Sequence, residues 1–289
     1  MKPASLKRER RWALVWSYIF LVIFAVIFLT PPLYMLVTSL KTSAEISAVT
    51  LPWWVFHPTL ENYYALLTSE AYLTFFRNSL VVSLAVVAIT MVISIFAAFS
   101  LSRMHFWGSA TLATGVFLTY LIPETLLFIP LFKMFAVFNE WTDIQLINRW
   151  WVLLLLYPTL SVPFCTWIMI GYFASIPKEL DEAALMDGAN YWQILTRVFI
   201  PVALPGLIAA TIFAFTVSWA QFLYPLALTT SQDQLVLPVG IITTLIKGDV
   251  FNWGQIMTGA LLGAAPPLII YAFLMDYYIA GLTAGATKG

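Results

Sequence analysis

The chain has 289 residues, 61% of them hydrophobic and only 10% charged, with a mean hydropathy of +0.89. Soluble domains carry about 25% charged residues and about 45–50% apolar ones, so a soluble globular fold is excluded and a bilayer is left as the solvent. Fourteen Lys and Arg balance fourteen Asp and Glu, giving no basic excess for nucleic acid, and one cysteine, Cys165, with two scattered histidines, His57 and His105, makes neither a disulfide nor a metal site.

In chain order, six stretches reach the roughly 20 apolar residues that a crossing helix needs: residues 12–37, 79–101, 110–132, 151–173, 204–228 and 256–280. The first is too long for a cleaved signal segment and reads as a retained span. A bend is expected at Pro31-Pro32, where backbone donors are missing. With the N-terminus inside, the cytoplasmic pieces hold nine Lys and Arg, five of them within the first eleven residues, against five in the outer loops. That excess places both termini in the cytoplasm.

The connection from 174 to 203 is cytoplasmic in this arrangement, and it far exceeds the about 2–8 residues usual between bundled helices. Pro177 suits the start of a helix, and Glu179, Asp181 and Glu182 lie near its positive end. Leu180, Ala183 and Ala184 form a narrow apolar stripe, and Gly188 can stop the helix in the left-handed conformation. A second short helix is expected from about 191 to 198, with Trp192, Leu195 and Phe199 on one face, before Pro201 separates it from the fifth span. These residues alone leave two readings open: an amphipathic loop on the membrane surface, or a docking elbow.

The spacing carries a resemblance. Glu182-Ala183-Ala184, three residues, Gly188, nine residues, then Val198-x-Ile200-Pro201 resembles the signature Glu-Ala-Ala-x3-Gly-x9-Ile-x-Leu-Pro of ABC importer membrane subunits, with Val198 for Ile and Ile200 for Leu. The rest of the chain resembles the smaller membrane subunit of maltose-type carbohydrate importers. The matching pieces are Ser39-Leu40-Lys41, Glu45, Asn62-Tyr63, Asn78-Ser79, Pro123, Ile129-Pro130-Leu131, Leu237-Pro238-Val239-Gly240 and the glycine-rich C-terminus.

This resemblance implies an all-α permease of the type I ABC importer fold with six transmembrane helices. Residues 1–289 would form a single permease domain with a cytoplasmic N-terminal tail (1–11), a coupling loop (174–203) and a C-terminal tail (281–289). It also implies that Glu182, Ala183, Ala184, Gly188 and Pro201 couple the chain to a dimer of separate ABC ATPases. Glu182 keeps a second reading as a helix-dipole charge. The implied partners are a second permease subunit completing a heterodimer, an extracytoplasmic sugar-binding protein and membrane lipid, in the cytoplasmic membrane of a prokaryote. No phosphate-binding Gly-x4-Gly-Lys-Ser/Thr loop and no catalytic constellation occurs in the sequence. The chain therefore reads as a transport subunit and not an enzyme, binding no cofactor itself, with ATP and Mg on the partner ATPases.

Inside the spans, Glu124 is costly to bury and so is a candidate site. Pro123 and Pro130 imply irregular backbone there, tolerated at depth only when buried in protein or lining a cavity. Glu124 reads either as an acceptor for sugar hydroxyls or as a structural carboxylate. Trp219, Gln221, Phe222 and Tyr224 lie at similar depth. The resembling family more often shows Trp-Asn-Glu/Asp-Phe here, so Ala220 and Gln221 depart from it. Gln221 reads equally as a sugar contact or as polar glue between helices.

The tail is too rich in glycine to form a helix of its own. It reads as a frayed terminus or, following the resemblance, as an extended segment reaching the ATPase dimer through Thr283, Gly285 and Lys288. The function so implied is import of a sugar, a disaccharide or oligosaccharide. The alternatives are a permease for glycerol-phosphate or another small polar solute, and an ion-coupled secondary transporter, which would need relay carboxylates and internal repeats where Glu124 stands alone.

Overall fold

The computed structural model describes residues 3–48, 53–104, 106–142, 144–248 and 250–286. Among the described residues the regular structure is helical apart from one short antiparallel pair, β1 (Ile246–Lys247) with β2 (Val250–Phe251). Its contacts group into two compact units, Met1–Ser69 with Ile241–Leu262, and Glu70–Gly240 with Gly263–Gly289. Helices α13 (Leu237–Leu245) and α14 (Trp253–Ala286) each run from one group into the other.

In the first unit, α1 (Pro3–Ser39) continues unbroken through Pro31 and Pro32, where a bend was expected. Every other backbone bond of an apolar helix is made within the segment, so the missing donors do not end it. Its residues from Trp12 to Leu29 stay largely exposed, as lipid-facing ones do. Beyond α1, Thr42 and Glu45 form a reciprocal capping box on α2 (Ser43–Ile46). Glu45 Oε1 also accepts from the backbone N–H of Phe56 at 2.7 Å and of His57 at 3.3 Å. The Asn62 amide, on α3 (Glu61–Leu67), donates to the carbonyls of Ser39 (3.0 Å) and Lys41 (3.1 Å). Tyr63 Oη lies 2.9 Å from Ser39 Oγ. The short motifs at 39–41 and 62–63 thus tie one another together, while Glu45 holds residues 56 and 57.

The second unit is built on α4 (Glu70–Arg103), α7 (Leu153–Ser175) and α11 (Leu204–Ala220), which pack on one another, with α5 (Ser109–Tyr120) against α4 and α7. Small and hydroxyl side chains fill these contacts: Thr90 Oγ1 to Ser161 Oγ at 2.7 Å, and Ser218 Oγ to Ser83 Oγ at 3.2 Å. In a bilayer, lipid is as apolar as the helix face, so close approach and polar pairs replace the hydrophobic drive. Gly206 shows how close: a β-carbon there would overlap the ring of Tyr172. Asn78 donates to the carbonyls of Asp233 and Leu235, both at 2.9 Å, and Ser79 Oγ accepts from the Leu237 N–H at 2.7 Å, holding residues 233–237 against α4.

Among the described residues, Arg11–Ser39, Glu70–Arg103, Trp150–Ser175 and Trp253–Met275 are long and apolar enough to cross a membrane. Two bent pairs bring the number to six if each is one crossing. The third expected span is one of them: α5 and α6 (Glu124–Trp141) meet at 93°. The break falls at Pro123, which cannot donate to the preceding turn, while Pro130 lies within unbroken α6. The fifth expected span is shorter than read. Helix α11 ends at Ala220, Gln221 is extended, and α12 (Leu223–Leu228) is separate. Pro225 falls in the first turn of α12, where a missing N–H leaves no internal bond unmade. At the C-terminus, 281–286 continue α14, where a frayed or extended segment was expected. Attached to a long helix it needs no nucleation, the costly step.

Candidate functional site

The loop at 174–203 folds as an elbow. Only Ile176 and Pro177 separate α7 from α8 (Lys178–Met186), with Pro177 in the N-cap position and Glu179 and Asp181 in the first turn. Gly188 adopts φ +78°, and the helix closes by two bonds, Ala189 N–H to the Ala184 carbonyl (2.9 Å) and Gly188 N–H to the Leu185 carbonyl (3.0 Å). These are the bonds of the Schellman closure, with Ala184 and Ala189 as its apolar contact.

Asn190 then starts the second arm with a capping box, exchanging 2.9 Å bonds with Gln193. Asn-x-x-Gln was legible in the sequence as such a box and was missed. Helix α9 (Tyr191–Ile194) leads into a π-helical turn (Leu195–Phe199) and α10 (Ile200–Val202). Pro201 has no N–H for the Arg197 carbonyl, and Ile200 bonds five residues back to Leu195. Pro201 is therefore inside the second arm and does not separate it from α11. The corner is at Ala203, where the arm turns by 81° into α11.

Glu182 and Ala183 face solvent on α8, and Ala184 packs against the Met169–Phe199 cluster. Met186, which sequence reading passed over, is 88% exposed beside the elbow. A hollow between the arms is lined by Ala184, Asp187, Gly188, Gln193, Ile194 and Arg197. Asp181 is more than a dipole charge: it pairs with Arg103 at 3.2 Å. Desolvation raises its carboxyl above the usual range and the neighbouring Glu182 adds to this, against the lowering effect of Arg103 and Lys178. An exposed carboxylate, a bare glycine turn and a protruding thioether make a surface suited to a protein groove.

A second constellation joins the two helix breaks. Glu124 is the first residue of α6, where the helix dipole favours its charge. Gln221, just past the end of α11, donates to Glu124 Oε2 at 2.8 Å, and Tyr224 Oη donates to the Glu124 carbonyl at 3.1 Å. No cation pairs with Glu124 among the described residues. Phe222 is 38% exposed beside this contact.

Trp219, a candidate for the substrate pathway, is buried. Its indole donates to the Gly263 carbonyl at 2.8 Å and lies between Phe215 (centroids 5.5 Å apart) and Phe76 (5.6 Å). Tyr157, not singled out before, is fully buried in the same apolar cluster as Tyr224, and its hydroxyl has no hydrogen-bond partner. Glu124, Gln221 and Tyr224 come together, Phe222 follows Gln221 in the chain, and Trp219 packs elsewhere, against Gly263, Phe215 and Phe76. A carboxylate with one oxygen engaged keeps acceptor capacity for ligand hydroxyls. Thr283 and Gly285 lie in the helical end of α14, and Lys288 is outside the described residues.

The family model of binding-protein-dependent transport system inner membrane components matches residues 90–283. The chain is 34% identical over 262 residues to the sulfoquinovosyl glycerol transport system permease protein of Agrobacterium fabrum, covering 90% of this chain and 89% of that one. It is 30% identical to the trehalose/maltose transport system permease protein of Thermococcus litoralis, covering 90% and 92%. A chain of a bacterial ABC transporter involved in import of the acidic polysaccharide alginate superposes with a TM-score of 0.80 at 20% identity, over 96% of this chain and 99% of that one.

Proposed function

The chain belongs to the binding-protein-dependent transport system inner membrane components, and from that membership we propose that it is one of two membrane subunits of an ABC importer for a sugar, a disaccharide or oligosaccharide. A second permease forms the other half of the pathway. A binding protein delivers the sugar from outside, and a dimer of separate ATPases, which hold ATP and Mg, drives the cycle. The chain itself binds no cofactor. It resides in the cytoplasmic membrane of a prokaryote with both termini inside.

The observation that carries this reading is the elbow. Its glycine closure, exposed Glu182 and protruding Met186 stand where α8 turns into the second arm, and that arm turns by 81° into α11 at Ala203. Glu182, Ala183, Ala184, Gly188 and Pro201 form the seat on the ATPase. When the ATPases close, the elbow is displaced, and α4, α7 and α11, packed on one another, move with it. That motion reaches Glu124, Gln221, Phe222 and Tyr224, which line the pathway at the two helix breaks. Irregular backbone at this depth is what a polar passage requires. The relatives whose names state a cargo carry sugars or sugar derivatives, which supports the substrate class.

The test is uptake in proteoliposomes containing both permeases, the ATPase and the binding protein, with a panel of trehalose, maltose, chitobiose and glycerol-phosphate. ATP-dependent uptake of a disaccharide is expected, and none with this chain alone. Uptake of glycerol-phosphate only would move the chain to that substrate class. Uptake by the single chain driven by a proton gradient would overturn the importer reading.

A further inference from the structure

Arg103 is the last residue of α4, outside the loop's signature motif, and its side chain is 6% exposed. Its Nη1 meets Asp181 Oδ2 at 3.2 Å, in the first turn of α8. Its Nη2 donates to the Phe173 carbonyl at 2.6 Å and to the Ile176 carbonyl, at the end of α7. The guanidinium also lies 4.7 Å from the ring centre of Phe199, in the π-helical turn of the second arm. One planar group at the end of α4 thus touches three other segments: the end of α7, the start of α8, and the second arm.

The chemistry suits each contact. The last carbonyls of a helix lack partners within it and carry its negative end, so a cation with several donors satisfies them. Asp181 stands at the positive end of α8 and supplies the counter-charge. Phe199 offers an aromatic face, itself edge-on to Phe99 and Phe173. Lysine could supply the charge, but neither the rigid fork nor the stacking plane.

Between α7 and α8 the backbone alone offers a two-residue link, Ile176-Pro177, about which α8 could pivot. We propose that Arg103 locks this pivot and is the joint through which displacement of the α8 arm passes to α4 and α7, making it a positioning residue for coupling. The proposal rests on the importer reading above. An arm that swings freely would leave the ATPase able to hydrolyse but unable to move the bundle.

The experiment uses the complete reconstituted transporter, read by two numbers: sugar carried per ATP hydrolysed, and stimulation of hydrolysis by loaded binding protein. Wild type must show both; if it does not, the importer reading fails and this proposal is not the cause. In a working complex, Asp181→Asn keeps the shape and removes the ion pair, and Arg103→Lys keeps the charge and removes the fork. Both are expected to lower sugar carried per ATP about tenfold, within the range of measured coupling energies. Co-purification of the ATPase and hydrolysis without binding protein should stay near wild type. If Arg103→Lys fails to assemble, Asp181→Asn still decides. Wild-type coupling in assembled Asp181→Asn would overturn the proposal. Loss of ATPase co-purification in that variant would also overturn it, by making the pair a docking determinant instead of a joint.

Discussion

Gly188 sits at φ +78° with no atom within 4 Å of where a β-carbon would stand, so a substitution there is penalised by the backbone and not by crowding. The left-handed conformation costs an ordinary L-residue about 1–2 kcal/mol, and asparagine less. Gly188→Val should therefore straighten or unwind the elbow and abolish binding-protein-stimulated hydrolysis, whereas Gly188→Asn should retain most of it. ATPase co-purification at wild-type yield in Gly188→Val would argue against docking at the elbow. At Glu124 the expectation is different. Glu124→Ala leaves the buried Gln221 amide without its acceptor, which costs about 1–3 kcal/mol, while Glu124→Gln keeps an oxygen in place. Uptake of the accepted sugar should fall at least about tenfold in Glu124→Ala and far less in Glu124→Gln. Equal, near-wild-type uptake in both would remove Glu124 from the pathway.

Elements are held here by approach distance as much as by apolar area. Gly206 lets α11 lie against Tyr172 of α7, and a methyl at this point would enter the ring. Gly206→Ala should lower stability by about 1–3 kcal/mol, the usual cost of overpacking, seen as earlier thermal unfolding in detergent. Adding Tyr172→Ala should relieve the clash, and failure of that rescue would place the cost elsewhere. In the first unit the residue 42–57 segment depends on Glu45. Removal from water pushes its carboxyl up, but the N–H groups of Phe56, His57 and Thr42, together with the His57 charge, outweigh this and hold it below the usual carboxylate range. Because the folded value lies below the unfolded one of about 4.3, the stabilisation is complete above the unfolded value. It is lost as pH falls through the folded value. Tryptophan fluorescence of Trp53 and Trp54, followed down to about pH 3, should change in wild type, and Glu45→Gln should remove that acid transition.

At the scale of the whole molecule, the proposed activity belongs to an assembly. The polar contact at Glu124 and the exposed elbow are both features that a lone bundle does not need: the first costs desolvation, and the second presents apolar surface without covering it. The C-terminal end of α14 extends the same argument. Deleting residues 283–289, which include Thr283, Gly285 and Lys288, should lower binding-protein-stimulated hydrolysis about tenfold, with membrane insertion and binding-protein docking unchanged. Full stimulation in that truncation would assign the segment no role in contact with the ATPase.

Composition and run length by themselves determined that this is a helical membrane protein, because about 20 apolar residues in a bilayer can satisfy their backbone only as a helix. The first half of the elbow was equally legible, since Gly188, the acidic first turn and Pro177 act over a few neighbouring residues, whereas Pro201 lies inside the second arm. The loop's signature spacing carried the resemblance that the family match bore out. Tertiary structure decided what depends on partners distant in the chain. Hydropathy read 110–132 and 204–228 as whole spans, but each is interrupted, at 121–123 and at 221–222, and the breaks met as Glu124 and Gln221 across 97 residues. Trp219 looked available until Gly263, Phe215 and Phe76 enclosed it. Arg103 counted only as one more inward charge until folding brought it to Asp181, Phe173 and Phe199. Local conformational preference is written in adjacent residues; which side chain meets which across a bundle is set by the packing of α4, α7 and α11, and no window along the chain contains it.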